Sequence, residues 1–180
     1  MGKLRFRVSA VGAMLIALSS PAFAQQSVTL TDTSQTTTLT ANVSEQARVT
    51  VPAGVTFSVT NVSSSTAATA ASVMVQNMVL ATATKQMRVS LQANAASFTP
   101  PVVGSTTWGA GDVSWNASTW TNATGAAGTL SNSAYTAVAT CTADTPDCST
   151  TGLVFTLGAK PAVQRAGSHT LVVTWKFESI

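Results

Sequence analysis

Apolar and polar residues alternate with a period of two along most of this 180-residue chain. The clearest run, KQMRVSLQANA at residues 85–95, places Met87, Val89, Leu91 and Ala93 on one face and polar residues on the other. Such alternation is typical of β-strands with one buried face, whereas an amphipathic helix repeats every 3.6 residues. Thr and Val, which suit strands, are abundant,. The pattern therefore predicts an all-β fold.

The same alternation predicts about nine or ten short strands, separated by segments with turn-forming residues. The predicted strands are residues 28–31, 37–43, 48–51, 55–60, 73–80, 85–95, 113–116, 135–140, 153–157 and 171–177. Short strands at this spacing favour two antiparallel sheets packed face to face. We therefore predict a single antiparallel β-sandwich, immunoglobulin-like in outline, with a closed barrel as the alternative.

The first 24 residues have the layout of a secretory signal peptide. A basic start with Lys3, Arg5 and Arg7 precedes an apolar run at residues 11–18, and Ala22-Phe23-Ala24 offers a small-x-small cleavage site,. The run is shorter than the roughly 20 residues that span a bilayer. We therefore expect a signal helix at residues 1–24, cleaved after Ala24, and a β-sandwich domain at residues 25–180. The expected location is extracellular, at the cell surface or in the periplasm, with no membrane span in the mature chain.

Cleavage would leave six basic and six acidic residues in the mature chain. This formally neutral chain has no basic excess with which to attract nucleic acid, so nucleic-acid binding is not expected. Ser and Thr make up nearly a third of the mature sequence. Hydroxyl groups, rather than charges, must therefore supply most of the surface polarity.

The two cysteines, Cys141 and Cys148, lie in the segment CTADTPDC. In an oxidising compartment after export, such a pair is expected to form a disulfide. The alternative is metal ligation together with His169, but this spacing matches no usual zinc pattern. We predict the disulfide and no metal site.

Candidate catalytic groups are few. His169 is the only histidine, no G-x-S-x-G motif accompanies it, and the six carboxylates are scattered along the chain,. Met74, Met78 and Met87 could in principle hold copper(I), but methionine at alternating positions more often fills a core. We therefore predict a protein that is not an enzyme, with no catalytic residues and no cofactor.

Three of the four tryptophans lie within the segment WGAGDVSWNASTW at residues 108–120. Trp115 shares strand spacing with Val113 and is expected to point into the core. Trp108 and Trp120 lie among turn-forming residues, which leaves two interpretations open. They either anchor loops to the core or form an exposed platform on which sugar rings could stack.

The C-terminal segment RAGSHTLVVTWKFESI, together with ANAASFTPP, VSW and TWTNATGAAGTLS upstream, resembles a group of exported bacterial proteins of unknown function. Their chains end in an A-G-x-H-T-L-x-x-x-W-K-x-E-S-I-like strand, which Ala166–Ile180 matches here. The resemblance covers roughly the last hundred residues. It implies a secreted β-sandwich and transfers no catalytic or binding residues.

A looser similarity is to bacterial surface sandwiches of the spore-coat-U type and to chaperone–usher pilus subunits. In pilus subunits an N-terminal extension completes the sheet of a neighbouring subunit by strand addition. The segment SVTLTDTSQTTTLTANV, with Val28, Leu30, Leu39, Ala41 and Val43, has part of that pattern, although an ordinary first strand is the alternative. We expect an exported structural or adhesive protein of the cell surface or extracellular matrix, whose partner is either a second copy or a surface glycan. The alternative function is a carbohydrate-binding module that uses Trp108 and Trp120.

Overall fold

The computed structural model describes residue 27, residues 29–31 and residues 35–180. The expected signal peptide at residues 1–24 lies outside the described residues, as does Val28. The chain divides into two units, residues 1–41 and residues 42–180. The described residues of the first unit contain no strand, and all the sheets belong to the second unit.

The second unit is all-β, as the alternation predicts. Its strands are β1 (Gln46–Thr50), β2 (Thr66–Ala67), β3 (Ala71–Val79), β4 (Met87–Ala93), β5 (Val113–Trp115), β6 (Ala123–Gly125), β7 (Gly128–Thr129), β8 (Thr136–Cys141), β9 (Cys148–Leu153), β10 (Phe155–Leu157) and β11 (Val173–Ser179). The only helical element in the described part of the chain is one 3₁₀ turn at Ala110–Asp112. No helix in the described ranges has the length and apolarity that crossing a membrane requires.

The strands form three antiparallel sheets, with orders β1-β3-β9, β2-β10-β5-β7 and β11-β4-β8-β6. Only Val154 separates β9 from β10, and three residues separate β2 from β3. The first two sheets therefore continue one another along these strands. A further isolated bridge joins Thr121 to Ser149 of β9. The segment that leaves β5 thus pairs with β9 before it enters the third sheet as β6.

One apolar core gathers the inward faces of all three sheets. Seven of its side chains are 0% exposed, namely Val73 and Val75 of β3, Val89 and Leu91 of β4, Val138 and Cys141 of β8, and Leu153 of β9. The burial of β4 alternates as its sequence predicts, except that Ser90 is also covered. Burying a side chain such as Leu91 contributes about 1.5–3 kcal/mol. This core is the main stabilising element of the fold.

Seven of the ten predicted strands coincide with observed ones, namely β1, β3, β4, β5, β8, β10 and β11. Residues 55–60 were predicted as a strand and are not one, although Val55, Phe57 and Val59 are half-buried and the residues between them exposed. Alternation in the sequence indicates which side chains are buried, not whether the main chain pairs with a neighbouring strand. In this segment the alternate side chains are half-buried, but the main chain joins no hydrogen-bonded ladder. Residues 37–43 likewise form no strand, and Leu30 and Thr31 lie in a turn.

Cys141 and Cys148 form the predicted disulfide. The bond joins the end of β8 to the start of β9, with the two Cα atoms 5.8 Å apart and both side chains buried. It therefore ties the sheet that contains β4 to the sheet that contains β3 along one side of the core.

Candidate functional site

All three tryptophans of the segment 108–120 are buried in the structure. Trp108, Trp115 and Trp120 are 4%, 3% and 8% exposed. The indole N–H of Trp108 donates to Gly158 O at 2.9 Å, and that of Trp115 donates to Ala126 O at 3.0 Å. The indole N–H of Trp120 is the one buried side-chain polar atom without a hydrogen-bond partner in the described part of the chain.

This burial corrects the idea of an exposed platform at Trp108 and Trp120. Stacking on a sugar requires an open ring face, and neither indole offers one here. The loops that carry Trp108 and Trp120 fold inward, so that each indole ring packs into the hydrophobic core. At Gly125 of β6, for example, an added Cβ would lie 2.7 Å from the Trp120 ring. The core-anchor interpretation of the segment therefore fits the structure.

His169 is held by neighbours that give it a structural role. Its Nδ1 lies 2.7 Å from Thr107 Oγ1, and its Nε2 lies 3.1 Å from Arg165 O. The rings of Trp108 and His169 pack edge to face, with their centroids 5.2 Å apart. The imidazole thus ties the loop before β11 to the loop that carries Trp108.

The carboxylate of Asp112 is also held by hydrogen bonds within the fold. It accepts hydrogen bonds from Lys160 Nζ and Gly109 N–H, both at 2.7 Å. Partial burial acts to raise the pKa of Asp112, but the Lys160 hydrogen bond, the Gly109 hydrogen bond and the Lys160 charge together hold that pKa below its ordinary value,. The hydrogen bonds of this carboxylate go to Gly109 and Lys160, and those of His169 to Thr107 and Arg165.

Arg88, Tyr135, Lys176 and Glu178 form a charged cluster on the outward face of the third sheet. Glu178 accepts hydrogen bonds from Arg88 and pairs with Lys176, whose ammonium group lies 5.4 Å from the centre of the Tyr135 ring. Hydrogen bonds from Lys176 and then Arg88 hold the pKa of Glu178 below its ordinary value. The cluster lines a shallow cavity of about 270 Å³. Each of its charges has a partner within the cluster.

The described residues contain no cluster of His, Cys, Asp or Glu side chains that could hold a metal ion. No three His, Cys, Asp or Glu side chains among them lie close enough to share an ion. Of the three methionines considered for copper, Met87 is buried in the core and Met74 of β3 points outward with 37% exposure. Met78 is half-buried against the core. They therefore do not converge on one face.

The strands β1 and β11 each lie at an edge of their sheet. In its sheet, β1 pairs only with β3, and β11 pairs only with β4. Val49 of β1 lies opposite the fully buried Val75, so it points toward the core, yet it is 42% exposed. Val173 of β11 lies opposite the buried Ala93 and is 37% exposed. Inward-facing apolar side chains are thus uncovered on both strands.

Two aromatic residues continue the inward face of β11. Trp175 lies opposite Leu91 and Phe177 opposite Val89, so both share the inward face, but both are only half-buried. Their rings stack with centroids 6.5 Å apart. We call Val49 of β1, Val51 just after β1, and Val173, Trp175 and Phe177 of β11 the β1–β11 edge.

At one end, β1 and β11 are connected through Glu45. Ser179 Oγ donates to Glu45 Oε1 at 3.1 Å, Ala81 N–H donates to the same oxygen at 2.7 Å, and Lys85 Nζ lies 3.9 Å away. The hydrogen bond from Ala81 is the main reason that the pKa of Glu45 lies below its ordinary value, with Ser179 and Lys85 adding to it. This connection shows that the two edge strands lie on the same side of the core.

The sequence pattern identifies which residues of β11 face inward, but it does not reveal that Val173 is 37% exposed and that Trp175 and Phe177 are only half-buried. The alternation at Val173, Trp175 and Phe177 is the same as that of the buried strand β4. The difference is that β4 lies between two strands, β11 and β8, whereas β11 has a neighbouring strand on one side only. Comparison with known proteins found no matching protein family, no matching curated protein and no matching solved structure.

Proposed function

We propose that this chain is an exported structural or adhesive protein of the cell surface or extracellular matrix, and that it works by associating with further copies of itself. The observation that carries the proposal is the segment 37–43, which is described, lies in no strand and exposes its large apolar side chains. Leu39 is 92% exposed and Val43 is 72% exposed. Apolar residues in strand alternation are costly to leave in water. We call residues 37–43 the donor segment.

The proposed architecture is a β-sandwich with an immunoglobulin-like outline. One sheet layer would contain β1, β3 and β9, and the other would contain β11, β4, β8 and β6. The shared core and the disulfide between β8 and β9 support this arrangement. The resemblance of Ala166–Ile180 to the last strand of exported bacterial proteins points the same way. The expected cleavage after Ala24 and the disulfide both fit an oxidising location outside the cytoplasm.

A role without catalysis agrees with how the ionisable groups are used. Asp112 and Glu178 are each paired with a cation at 2.7 Å, and Glu45 connects the two edge strands. His169 bonds to a threonine hydroxyl and a backbone carbonyl. These groups stabilise the fold, which makes a binding or structural function the better proposal.

The test is to export the full chain from a bacterial host and examine the protein collected outside the cells. Intact mass should correspond to residues 25–180 with the cysteines oxidised. Sizing by light scattering and negative-stain electron microscopy should show oligomers or filaments. The double substitution Leu39→Asp with Val43→Asp should abolish them, because it places charges where apolar contact is required.

The matched control is Thr38→Asp with Thr40→Asp, which adds the same two charges to exposed residues on the opposite face of the donor segment. This control should still assemble. Uniform monomers of the processed wild-type protein at every concentration tested would overturn the proposed function. Equal loss of assembly in both double variants would also count against it, since a general charge effect would then suffice.

A further inference from the structure

The cavity in the charged cluster of the third sheet has Ser90 at its floor. Ser90 of β4 lies opposite Lys176 of β11 on one side and opposite Ala137 of β8 on the other. The Lys176 ammonium group lies 5.4 Å from the centre of the ring of Tyr135, which comes directly before β8. Because β4 lies between β11 and β8, this contact crosses β4 at the level of Ser90. The crossing explains why Ser90 is only 2% exposed although it faces outward.

The hydroxyl of Ser90 has no hydrogen-bond partner in the described part of the chain. Ser90 is one of the residues that line the cavity of about 270 Å³, so its small exposed area opens into that cavity. Covering a hydroxyl group without giving it a hydrogen bond costs free energy. A polar group bound in the cavity would supply the missing bond.

The two cations that line the same cavity keep N–H groups for a further acceptor. Arg88 Nε and Nη2 donate to the same oxygen of Glu178, Oε1, at 2.9 Å and 2.7 Å. A guanidinium group carries five N–H donors, so most of the Arg88 donors remain. Lys176 pairs with the other oxygen of Glu178 and also keeps donors,. One carboxylate against two cations leaves the cluster with a net positive charge and an excess of donors.

A ligand that fits these groups combines a negative charge with hydroxyl groups. A carboxylate matches the remaining donors of Arg88 and Lys176, and the net positive charge attracts it. The Ser90 hydroxyl and the oxygens of Glu178 can bond to hydroxyl groups of the same ligand. A sugar of the uronic acid class carries a carboxylate and hydroxyl groups on one ring. The cavity is shallow and lies on an outward sheet face, so one sugar unit can enter it while its polymer continues outside.

From these observations we propose that this cavity is a binding site for a uronic acid unit of an acidic polysaccharide. The sugar carboxylate accepts hydrogen bonds from Arg88 and Lys176, and a ring hydroxyl bonds to Ser90. Tyr135 forms the wall on the β8 side and holds Lys176 in place. The inference goes beyond the proposed function, because binding in this cavity requires no contact between copies of the chain.

The experiment measures how the exported, oxidised chain binds to polygalacturonate and to polyglucuronate immobilised on beads. The half-saturating protein concentration is determined for the wild-type chain and three variants. Arg88→Gln with Lys176→Gln removes both cations of the cavity, and Ser90→Ala removes the hydroxyl at its floor. The matched control, Arg48→Gln with Arg165→Gln, removes two exposed cations outside the cavity. Circular dichroism and thermal melting establish that every variant is folded.

We expect the wild-type chain to bind at least one of the two polymers. The variant without the two cations should need at least about a tenfold higher concentration, because charge-assisted hydrogen bonds are lost. Ser90→Ala should raise the half-saturating concentration about threefold to tenfold, the effect of one neutral hydrogen bond. The matched control should bind like the wild-type chain. Free galacturonate or glucuronate should release the protein, whereas galactose, without a carboxylate, and succinate, without ring hydroxyls, should not.

Three results would overturn the inference. The first is that the folded wild-type chain binds neither polymer. The second is that the matched control weakens binding as much as the loss of Arg88 and Lys176, since the net charge of the chain would then be sufficient. The third is release by succinate or inorganic phosphate at the same concentration as by the sugar acid, which would indicate a general anion site. Each result is independent of whether the chain self-associates, so the proposed function is tested separately.

Discussion

Gly125 of β6 is a position where the structure leaves almost no room for a methyl group. An added Cβ would lie 1.8 Å from Ala117 O, 2.7 Å from the Trp120 ring and 2.9 Å from Ser118 O. Two of these contacts are backbone atoms, which no rotamer change can relieve. The substitution Gly125→Ala must therefore push the loop at residues 117–120 away from the core, and Trp120 with it.

The expected loss of stability follows from that displacement. An aromatic side chain such as Trp120 buries on the order of 200 Å². Exposing half of it costs about 2.5 kcal/mol at about 25 cal/mol per Å². Residual strain from overpacking adds about 1–3 kcal/mol. We therefore expect Gly125→Ala to lower the free energy of unfolding by about 3.5–5.5 kcal/mol.

The assay is urea denaturation of the oxidised chain, followed by circular dichroism and tryptophan fluorescence. Gly152→Ala is the matched control, because Gly152 is also a strand glycine but an added Cβ meets nothing closer than 3.9 Å. The control should change stability by less than about 0.5 kcal/mol. Native emission of Gly125→Ala should shift to longer wavelength as Trp120 meets water. If the two variants unfold with the same free energy, Trp120 is not held against Gly125 and the burial of this loop is refuted.

Three further perturbations test other parts of the fold. Replacing Cys141 and Cys148 by Ser should lower the free energy of unfolding by about 2–3 kcal/mol, the loop-entropy value for so short a ring; a stability unchanged by reducing agent would contradict it. Trp108→Phe should cost about 1–3 kcal/mol in the same denaturation assay, because it leaves a carbonyl without its donor, and an unchanged midpoint would argue against the buried hydrogen bond. The pKa of Asp112 is lower in the folded state, so its pairing with Lys160 stabilises the fold above the unfolded pKa, and this contribution is lost as pH falls through the folded value,. For so exposed a pair, we expect this contribution to the free energy of unfolding to be less than about 1 kcal/mol. Asp112→Asn should remove that part of the pH dependence of the free energy of unfolding between neutral pH and pH 2.

Much of the fold could be predicted because side-chain alternation and burial have the same physical origin. Residues 85–95 illustrate this, since the apolar positions of the predicted strand are the buried positions of β4. The prediction missed β9, whose sequence CSTTGL contains few apolar residues. Its strand conformation depends on pairing with β3, with Thr150 buried between neighbours. Local sequence does not carry that information.

The tryptophan segment shows a second limit of the sequence. Trp115 lies at strand spacing, and its burial could be predicted. Trp108 and Trp120 are surrounded by Gly, Ser, Thr and Asn, which occur equally in exposed loops and in loops that fold back on a core. Their burial depends on distant partners, such as Gly158 O for Trp108 and the backbone around Gly125 for Trp120. Only the tertiary structure brings these groups together.

The β1–β11 edge differs from a protected sheet edge in where its charges lie. A protein that avoids edge-to-edge association can place a lysine or another charge inward on its edge strands. Here the charges of β11, Lys176 and Glu178, both lie on the outward face, where Glu178 pairs with Lys176 and with Arg88 of β4. The inward positions, including Val49 and Val173, are apolar apart from Ser179, which lies opposite Met87 and donates to Glu45. The same alternation that builds the core thus continues into the edge strand β11, where Val173 is 37% exposed and Trp175 and Phe177 are only half-buried because no further strand lies beside them.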